Sequence, residues 1–145
     1  MTKISFKAVL IGGVTDVVGT GMFAIPLMIY VVIRFDLAHM PQDQAQAAII
    51  AAIHGNASLY AAQLLIGVVC SVLGGYVAAW LAKHDELING LFSSFLCIAI
   101  GVYSLASGKS PASLLVQLAL LISSPVLGMV GGYLRLAQKR ARGEA

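Results

Sequence analysis

The chain alternates between long apolar stretches and short polar links. Four stretches, at 8–33, 57–82, 87–106 and 112–134, contain almost only apolar and small residues. A helix rises about 1.5 Å per residue, so about 20 residues cross the roughly 30 Å hydrocarbon core of a bilayer. The stretches lack the alternation typical of strands, and helices satisfy their own backbone groups in lipid. We therefore expect four transmembrane helices.

The links between these stretches differ in length. The links at 83–86 and 107–111 are short, which predicts antiparallel hairpins among the second, third and fourth spans. The link at 34–56 is longer, and its apolar residues recur at helical spacing between Pro41 and Gly55. We expect a short outer helix over 41–54 that lies at the membrane interface as a connector. A lid over the mouth of the bundle is the alternative.

Composition supports this arrangement and excludes several classes of protein. Of the 145 residues 59% are hydrophobic and 10% are charged, and the mean hydropathy is +0.92. These values exclude a soluble enzyme domain, a disordered tail and a nucleic-acid-binding domain. The predicted fold is an all-α integral membrane bundle of four transmembrane helices with a short outer interfacial helix. It forms a single domain over 1–145 whose main contact is the lipid bilayer.

The basic residues fall mainly on one side of the predicted membrane. Seven lie on the side of the amino terminus and two, Arg34 and Lys109, on the other. The positive-inside rule then places both termini in the cytoplasm, in the inner membrane of a bacterium. The cytoplasmic tail at 135–145 is expected to touch anionic lipid as well. The seven residues are Lys3, Lys7, Lys83, Arg135, Lys139, Arg140 and Arg142.

One charged residue lies inside a predicted span. Fourteen of the fifteen Lys, Arg, Asp and Glu residues fall in the links and termini, and the exception is Asp16. A carboxyl group at that depth costs about 2.5 to 3.5 kcal/mol on insertion scales, so it needs a partner or a proton. We predict a polar layer around Asp16 as a candidate proton or ion site. Counting residues inward from the charged ends of the spans assigns four serines to this layer: Ser71, Ser94, Ser123 and Ser124.

Two interpretations of Asp16 stay open. In the structural one, burial disfavours the charged form, and a neutral Asp16 donates a hydrogen bond to a serine or a backbone carbonyl across the bundle. In the functional one, the carboxyl group takes up and releases a proton or a cation, as coupling acids of transporters do. The predicted spans contain no basic residue that could act as a fixed counter-ion, which favours the neutral form.

Each predicted span also carries a face of small residues. Lipid gives helices no hydrophobic reason to associate, so close packing depends on small residues that let backbones approach. The sequence around Gly74 and Gly75 recurs weakly around Gly131 and Gly132, which is compatible with two hairpins duplicated in the same orientation. The predicted packing residues are Gly12, Thr20, Gly67, Gly75, Gly90, Gly101, Gly128 and Gly132.

The sequence offers no catalytic constellation. The predicted spans contain no Ser or Cys with a base at matching depth, no zinc-protease helix motif and no phosphate-binding glycine loop. We interpret Cys70 and Cys97 as small apolar residues near the middle of their spans. His39 and His54, with two aspartates nearby, lack metal-ligand spacing. We therefore expect no enzyme activity, no cofactor and no metal site.

The segment from the second to the third span resembles a known type of membrane protein. It is similar to the central part of small four-span bacterial membrane proteins of uncharacterised function, and it covers residues 74–90. The resemblance implies a four-helix inner-membrane protein and carries no known active residues. The motif consists of Gly74, Gly75, Tyr76, Ala78 and Ala79, followed by the turn at 83–86, Leu87 and Gly90.

Four spans with an acid in the first also resemble the small multidrug-resistance transporters. That family forms antiparallel dimers that exchange protons for cationic drugs through a glutamate in the first span. Here the acid is Asp16, the chain is longer and the segment 34–56 is additional. The charge bias also predicts one orientation in the membrane instead of two. These departures make the family an analogy for the functional interpretation of Asp16.

For function we expect a non-enzymatic inner-membrane protein that acts as an accessory or assembly partner. The alternative is a small proton-coupled transporter or channel that uses Asp16. A homo-oligomer or a complex with another membrane protein is compatible with both, and nucleic acid is not an expected partner.

Overall fold

Helices make up the regular structure that is described. The computed structural model describes residues 3–107 and 114–143. Those residues form six α-helices and one 3-10 helix, and they contain no strand. The prediction of an all-α chain is confirmed. In chain order the helices are α1 (Phe6–Arg34), the 3-10 helix Leu37–His39, α2 (Gln42–Gly55), α3 (Ala57–Ala82), α4 (Glu86–Ser93), α5 (Phe95–Ala106) and α6 (Leu114–Ala141).

Four helical segments are long and apolar enough to cross a membrane. Each has at least 21 residues and a mean hydropathy of at least 1.7 over its most apolar part. They agree with the four predicted spans, and the second span has the predicted bounds, 57–82. This supports a multi-pass membrane protein. The segments are Phe6–Arg34, Ala57–Ala82, Glu86–Ala106 and Leu114–Ala141.

The third span is broken, which the sequence did not predict. α4 ends at Ser93 and α5 begins at Phe95, so the predicted helix over 87–106 is two helices. At the junction the Ser94 N–H donates to the Leu91 carbonyl at 3.4 Å, three residues back instead of four. The Ser93 hydroxyl donates to the Gly90 carbonyl at 2.7 Å. Serine hydroxyls compete with the backbone in this way and bend helices.

The fourth span continues further than predicted. α6 runs to Ala141, so most of the segment expected as a tail at 135–145 is helical. Two contacts hold it: the Tyr76 hydroxyl donates to Oε1 of Gln138 at 2.5 Å, and Lys139 pairs with Glu86. The helix therefore persists because its last turns pack on the bundle. Most of the predicted link at 107–111, the first two residues of the predicted fourth span and the last two residues of the tail lie outside the described residues.

The link between α3 and α4 is a tight turn, as its length predicts. Lys83 and Asp85 adopt the left-handed backbone, with φ of 61° and 45°. Such values are uncommon for residues other than glycine. They reverse the chain within three residues and start α4 at Glu86.

The chain divides into two compact units, Gly19–Gly67 and the remainder. We call Met1–Val18 with Val68–Ala145 the first unit and Gly19–Gly67 the second unit. The second unit has its own apolar core. Ile49 and Ile53 of α2 pack against Val31 of α1, Leu37 and Leu59. The predicted outer helix at 41–54 therefore exists as Gln42–Gly55, and one face of it packs on its neighbours. Its roles as a connector or a lid stay predictions.

Asn56 separates α2 from α3 and caps α3. Its side-chain oxygen accepts hydrogen bonds from the backbone N–H of Ser58 at 3.0 Å and of Leu59 at 3.3 Å. An asparagine in this position satisfies N–H groups that have no partner within the helix. This explains why α3 begins at Ala57.

The other unit, Met1–Val18 with Val68–Ala145, is held together by contacts between backbones. A Cβ atom on Gly12 would lie 2.6 Å from both the Ala78 Cβ and the Gly74 carbonyl oxygen. One on Gly13 would lie 2.8 Å from the Ser93 carbonyl oxygen. Glycine is needed at these crossings because any side chain would separate the helices. The remaining close pairs are Gly75 with Gly128, Gly131 with Val72, and Gly90 with Gly128 and Gly132.

We predict that Gly90→Ala destabilises the bundle. Its new methyl group would lie 2.6 Å from the Gly128 carbonyl oxygen and 3.0 Å from the Gly132 Cα, both backbone atoms that cannot rotate away. Overpacking of this kind typically costs about 1 to 3 kcal/mol. Thermal unfolding in detergent measures the effect.

Gly67→Ala is the matched control, because a Cβ atom there meets nothing within 4 Å. It should leave stability unchanged or raise it by up to about 1 kcal/mol through helix propensity. Equal melting temperatures for the two variants would show that the Gly90 crossing is not a close contact.

Candidate functional site

Asp16 lies in the interior of the first unit and is bonded by two neighbouring helices. Only 3% of its surface is exposed. The Ser71 hydroxyl of α3 donates to its Oδ2 at 2.9 Å, and the Cys97 thiol of α5 donates to the same oxygen at 3.1 Å. One carboxyl oxygen therefore joins α1, α3 and α5. The expectation that Asp16 faces protein agrees with this position.

The close approach of α3 to α1 positions Ser71. A Cβ atom on Gly74 would lie 2.8 Å from the Asp16 Cβ and 2.7 Å from the Gly12 carbonyl oxygen. The absence of a side chain at position 74 thus lets the two backbones meet. Ser71 lies about one helical turn from Gly74 on the same face, so its hydroxyl reaches the carboxyl group. The packing glycines and the hydrogen bond are parts of one arrangement.

The break at Ser94 positions Cys97. α5 begins at Phe95, so Cys97 is in its first turn. Peptide dipoles make a helix N-terminus favourable for negative charge. The break therefore places the first turn of α5 near Asp16, with the Cys97 thiol as the contact.

Asp16 accepts the hydrogen bonds from Ser71 and Cys97 on its Oδ2. The structural interpretation predicted that a neutral Asp16 donates to a serine or a backbone carbonyl, and these two contacts leave that a prediction. Both protonation states are compatible with the two contacts to Oδ2, since a carboxylate and a protonated acid both offer an acceptor oxygen.

The other predicted serines form separate contacts. The Ser94 hydroxyl donates to the Ser124 carbonyl at 2.8 Å and so joins the α4–α5 junction to α6. The Ser123 hydroxyl donates to the Leu120 carbonyl within α6 at 2.9 Å. The Ser124 hydroxyl is buried and has no hydrogen-bond partner among the described residues. The predicted polar layer therefore consists of at least two separate groups of contacts. Of the four serines, Ser71 is the one that donates to Asp16.

Cys97 is the residue that sequence reasoning missed. It was interpreted, with Cys70, as a small apolar side chain, although it shares the small face of its span with Ser94. Its thiol donates to Asp16, which an alanine at that position could not do. A list of polar residues at the depth of the acid would have included it if thiols had been counted as donors. Cys70 is 1% exposed, and its inert character stays a prediction.

The predicted packing residues separate into two groups. Gly67 has open space around it, so the expected close contact there is not observed. Thr20 is half-buried in the unit Gly19–Gly67. Gly101 lies against the Leu121 side chain instead of a backbone. The predicted residues that do occupy backbone crossings are Gly12, Gly75, Gly90, Gly128 and Gly132, and the structure adds Gly13, Gly74 and Gly131 to them.

The two halves of the first unit use a similar crossing. One crossing joins α1 and α3, and the other joins α4 and α6. In each, a glycine of the later helix faces a glycine and a polar residue that lie four positions apart on the earlier one. The weak recurrence in the sequence aligns Gly74 with Gly131, whereas the two crossings align Gly74 with Gly128, about one helical turn earlier. The duplication therefore stays a prediction. Gly74 faces Gly12 and Asp16, and Gly128 faces Gly90 and Ser94.

Comparisons with models of protein families, with curated proteins and with solved structures find no match for this chain. The two family resemblances given by the sequence therefore stay predictions.

We predict that Ser71→Ala weakens the bundle through the loss of its bond to Asp16. Hydrogen bonds between transmembrane helices contribute on average about 0.6 and at most about 1.7 kcal/mol. Ser123→Ala is the control, since that hydroxyl bonds within its own helix. Unfolding in mixed detergents should show a loss of about 0.6 to 1.7 kcal/mol for the first variant and a smaller one for the second. Losses of equal size would contradict the assignment.

Proposed function

We propose that this chain is a non-enzymatic multi-pass membrane protein that acts as an accessory or assembly partner. The observation that carries the proposal is the bonding of Asp16 to Ser71 and Cys97. These contacts use the one acid of the predicted spans to join three helices of the same chain. A polar group engaged in this way stabilises a scaffold.

The burial of Asp16 supports the non-enzymatic part of the proposal. Nucleophilic catalysis by Ser or Cys requires a base that takes its proton, and the predicted spans contain no histidine or lysine for this role. Ser71 and Cys97 both donate to Asp16, and the two hydrogen bonds converge on one oxygen. This carboxyl group is 3% exposed, so the contact is closed to a substrate in this structure.

The surface of α5 supports a role in assembly. None of its twelve residues is buried, and Tyr103 is 74% exposed. In a membrane such a face contacts either lipid or another helix. We propose that it contacts a second membrane protein or a second copy of this chain. A bundle packed through glycines, next to an exposed face of α5 that can bind a partner, fits an accessory subunit.

We further propose a bacterial inner membrane with both termini in the cytoplasm. Four spans return the chain to the side from which it started, and the basic residues are concentrated at that side. Arg140 and Arg142 are exposed at the end of α6, whereas Lys139 is paired with Glu86. The two arginines are therefore the residues we assign to anionic lipid.

A small proton-coupled carrier is the second candidate. The observation that favours it is the helix break at Ser94, which brings the first turn of α5 to Asp16. Discontinuous helices whose ends point at a buried charge are typical of transporter binding sites. In this candidate, Asp16 releases its proton while Ser71 and Cys97 stabilise the carboxylate.

We predict that Asp16→Asn separates the two functions. The amide oxygen still accepts from Ser71 and Cys97, but the side chain no longer titrates. For an accessory protein we expect an unchanged melting temperature and the same partners in affinity purification from membranes. Proton-coupled flux in proteoliposomes should then be absent from both proteins. Flux in the wild type that the variant abolishes would contradict the first candidate and support the second.

Asp16→Leu is the companion variant. It has the same branched skeleton, with a larger volume and no acceptor, so it should lose stability and, with it, partner binding. An Asp16→Leu protein with wild-type stability and partners would remove the proposed scaffold role of the acid.

A further inference from the structure

Polar contacts fasten the first residue of α4 to α6. Glu86 is 7% exposed, and its Oε1 lies 3.0 Å from the Lys139 Nζ. The same ammonium group donates to the Lys83 carbonyl at 3.5 Å. We call the end of the first unit that carries residues 83–86 the turn end. At the turn end one lysine of α6 therefore binds both the start of α4 and the turn before it.

Asn89 fastens α4 to the segment that precedes α1. Its side chain is 0% exposed and donates to the His84 carbonyl at 2.9 Å and the Asp85 carbonyl at 3.1 Å. Its Oδ1 accepts from the Ser5 N–H at 2.8 Å. The Lys3 N–H donates to the Asp85 carboxylate, also at 2.8 Å. These bonds close the turn end between α1, α4 and α6.

The opposite end of α4 is a break in the helical hydrogen bonding. At Ser94 the backbone hydrogen bond is long, 3.4 Å, and follows the three-residue pattern. Mid-helix stretches of this kind are found at functional hinges. α4 is therefore an eight-residue helix with polar fasteners at one end and a backbone break at the other.

The contact between α4 and α6 favours the closed position of α4 but does not interlock the two helices. Gly90 meets Gly128 and Gly132 through backbone atoms, so no large side chain interlocks the two helices there. Cys97 lies just beyond the break and donates to Asp16. α4 thus runs from the turn end to Ser93, which lies against Gly12 and Gly13 of the helix that carries Asp16.

We propose that α4 is a gate that pivots at Ser94 and that the Glu86–Lys139 pair and Asn89 hold it shut. When it opens, water and small cations from the turn end reach Asp16. The gate rests on the proposed carrier function, because a carrier needs water and cations to reach its acid. The motion itself is measured without any transport assay.

Cys97 is a native reporter of this opening, because its thiol lies against Asp16. In a Cys70→Ser background it is the one remaining cysteine of the chain. The experiment measures the rate at which a small, charged methanethiosulfonate reagent labels Cys97 in lipid nanodiscs. Glu86→Gln keeps an acceptor for Lys139 but removes the negative charge of the pair, and the weaker hydrogen bond should raise this rate by up to about tenfold.

Two controls isolate the gate. Ser123→Ala removes a hydroxyl that bonds within α6 and does not involve α4 or Lys139, and it should leave the rate unchanged. The exchange of charges in Glu86→Lys with Lys139→Glu should restore the slow rate. If Glu86→Gln fails to fold, Lys139→Gln breaks the same pair and serves in its place.

An unchanged labelling rate in Glu86→Gln would overturn the gate, and so would an equal rise in Ser123→Ala. These results differ from a failure of the carrier function. If Glu86→Gln raises the labelling rate but the protein shows no Asp16-dependent flux, the gate is supported and the carrier function is contradicted. If Asp16-dependent flux is present but the labelling rate does not depend on Glu86, the carrier function is supported and the gate is contradicted.

Discussion

Contact between glycine backbones is the constraint on which the first unit depends. In a membrane, side chains gain nothing by leaving lipid for one another, so helices associate through close packing and polar contacts. Gly12 and Gly74 bring α1 and α3 together, and Gly90 and Gly128 do the same for α4 and α6. The hydrogen bonds of the interior form only because these backbones are close. Ser71 reaches Asp16 because Gly74 has no side chain.

The position of Asp16 follows from the cost of a carboxyl group in lipid. The group cannot face the acyl chains without a large penalty, and a glycine-packed interior offers donors within reach. Ser71 and Cys97 supply two of them. This arrangement serves a scaffold and would also serve a carrier, because the same donors stabilise a carboxylate. What differs between the two roles is whether the structure admits water, which is why the closure of the turn end matters.

Much of the fold could be predicted from the sequence, since span length and charge distribution follow directly from bilayer thickness and solvation. The bounds of α2 and α3 agree with the pattern to within one residue. The break at Ser94 could not be predicted, because it depends on a serine hydroxyl taking a backbone acceptor. The helical tail to Ala141 was also missed, since it is held by Tyr76 and Glu86, which are distant in sequence.

The candidate site was predicted in part. Counting depth from the ends of the spans identified Asp16 and Ser71 as neighbours, because helical rise is constant. The same count could not give the rotation of each helix, and so it grouped Ser94, Ser123 and Ser124 with an acid that they do not donate to. Cys97 was overlooked because a thiol was treated as apolar. The depth of a residue in the membrane can therefore be predicted from the sequence, whereas the direction in which each helix face points requires the structure.

A double-mutant cycle between Asp16 and Ser71 tests the central claim most directly. It uses unfolding free energies of Asp16→Leu, Ser71→Ala and the double variant, with Asp16 and Ser123 as a second cycle. We expect a coupling energy of about 0.6 to 1.7 kcal/mol for Asp16 with Ser71 and none for Asp16 with Ser123. Zero coupling in the first cycle would show that the buried acid is not held by α3, and the account of the bundle would be wrong.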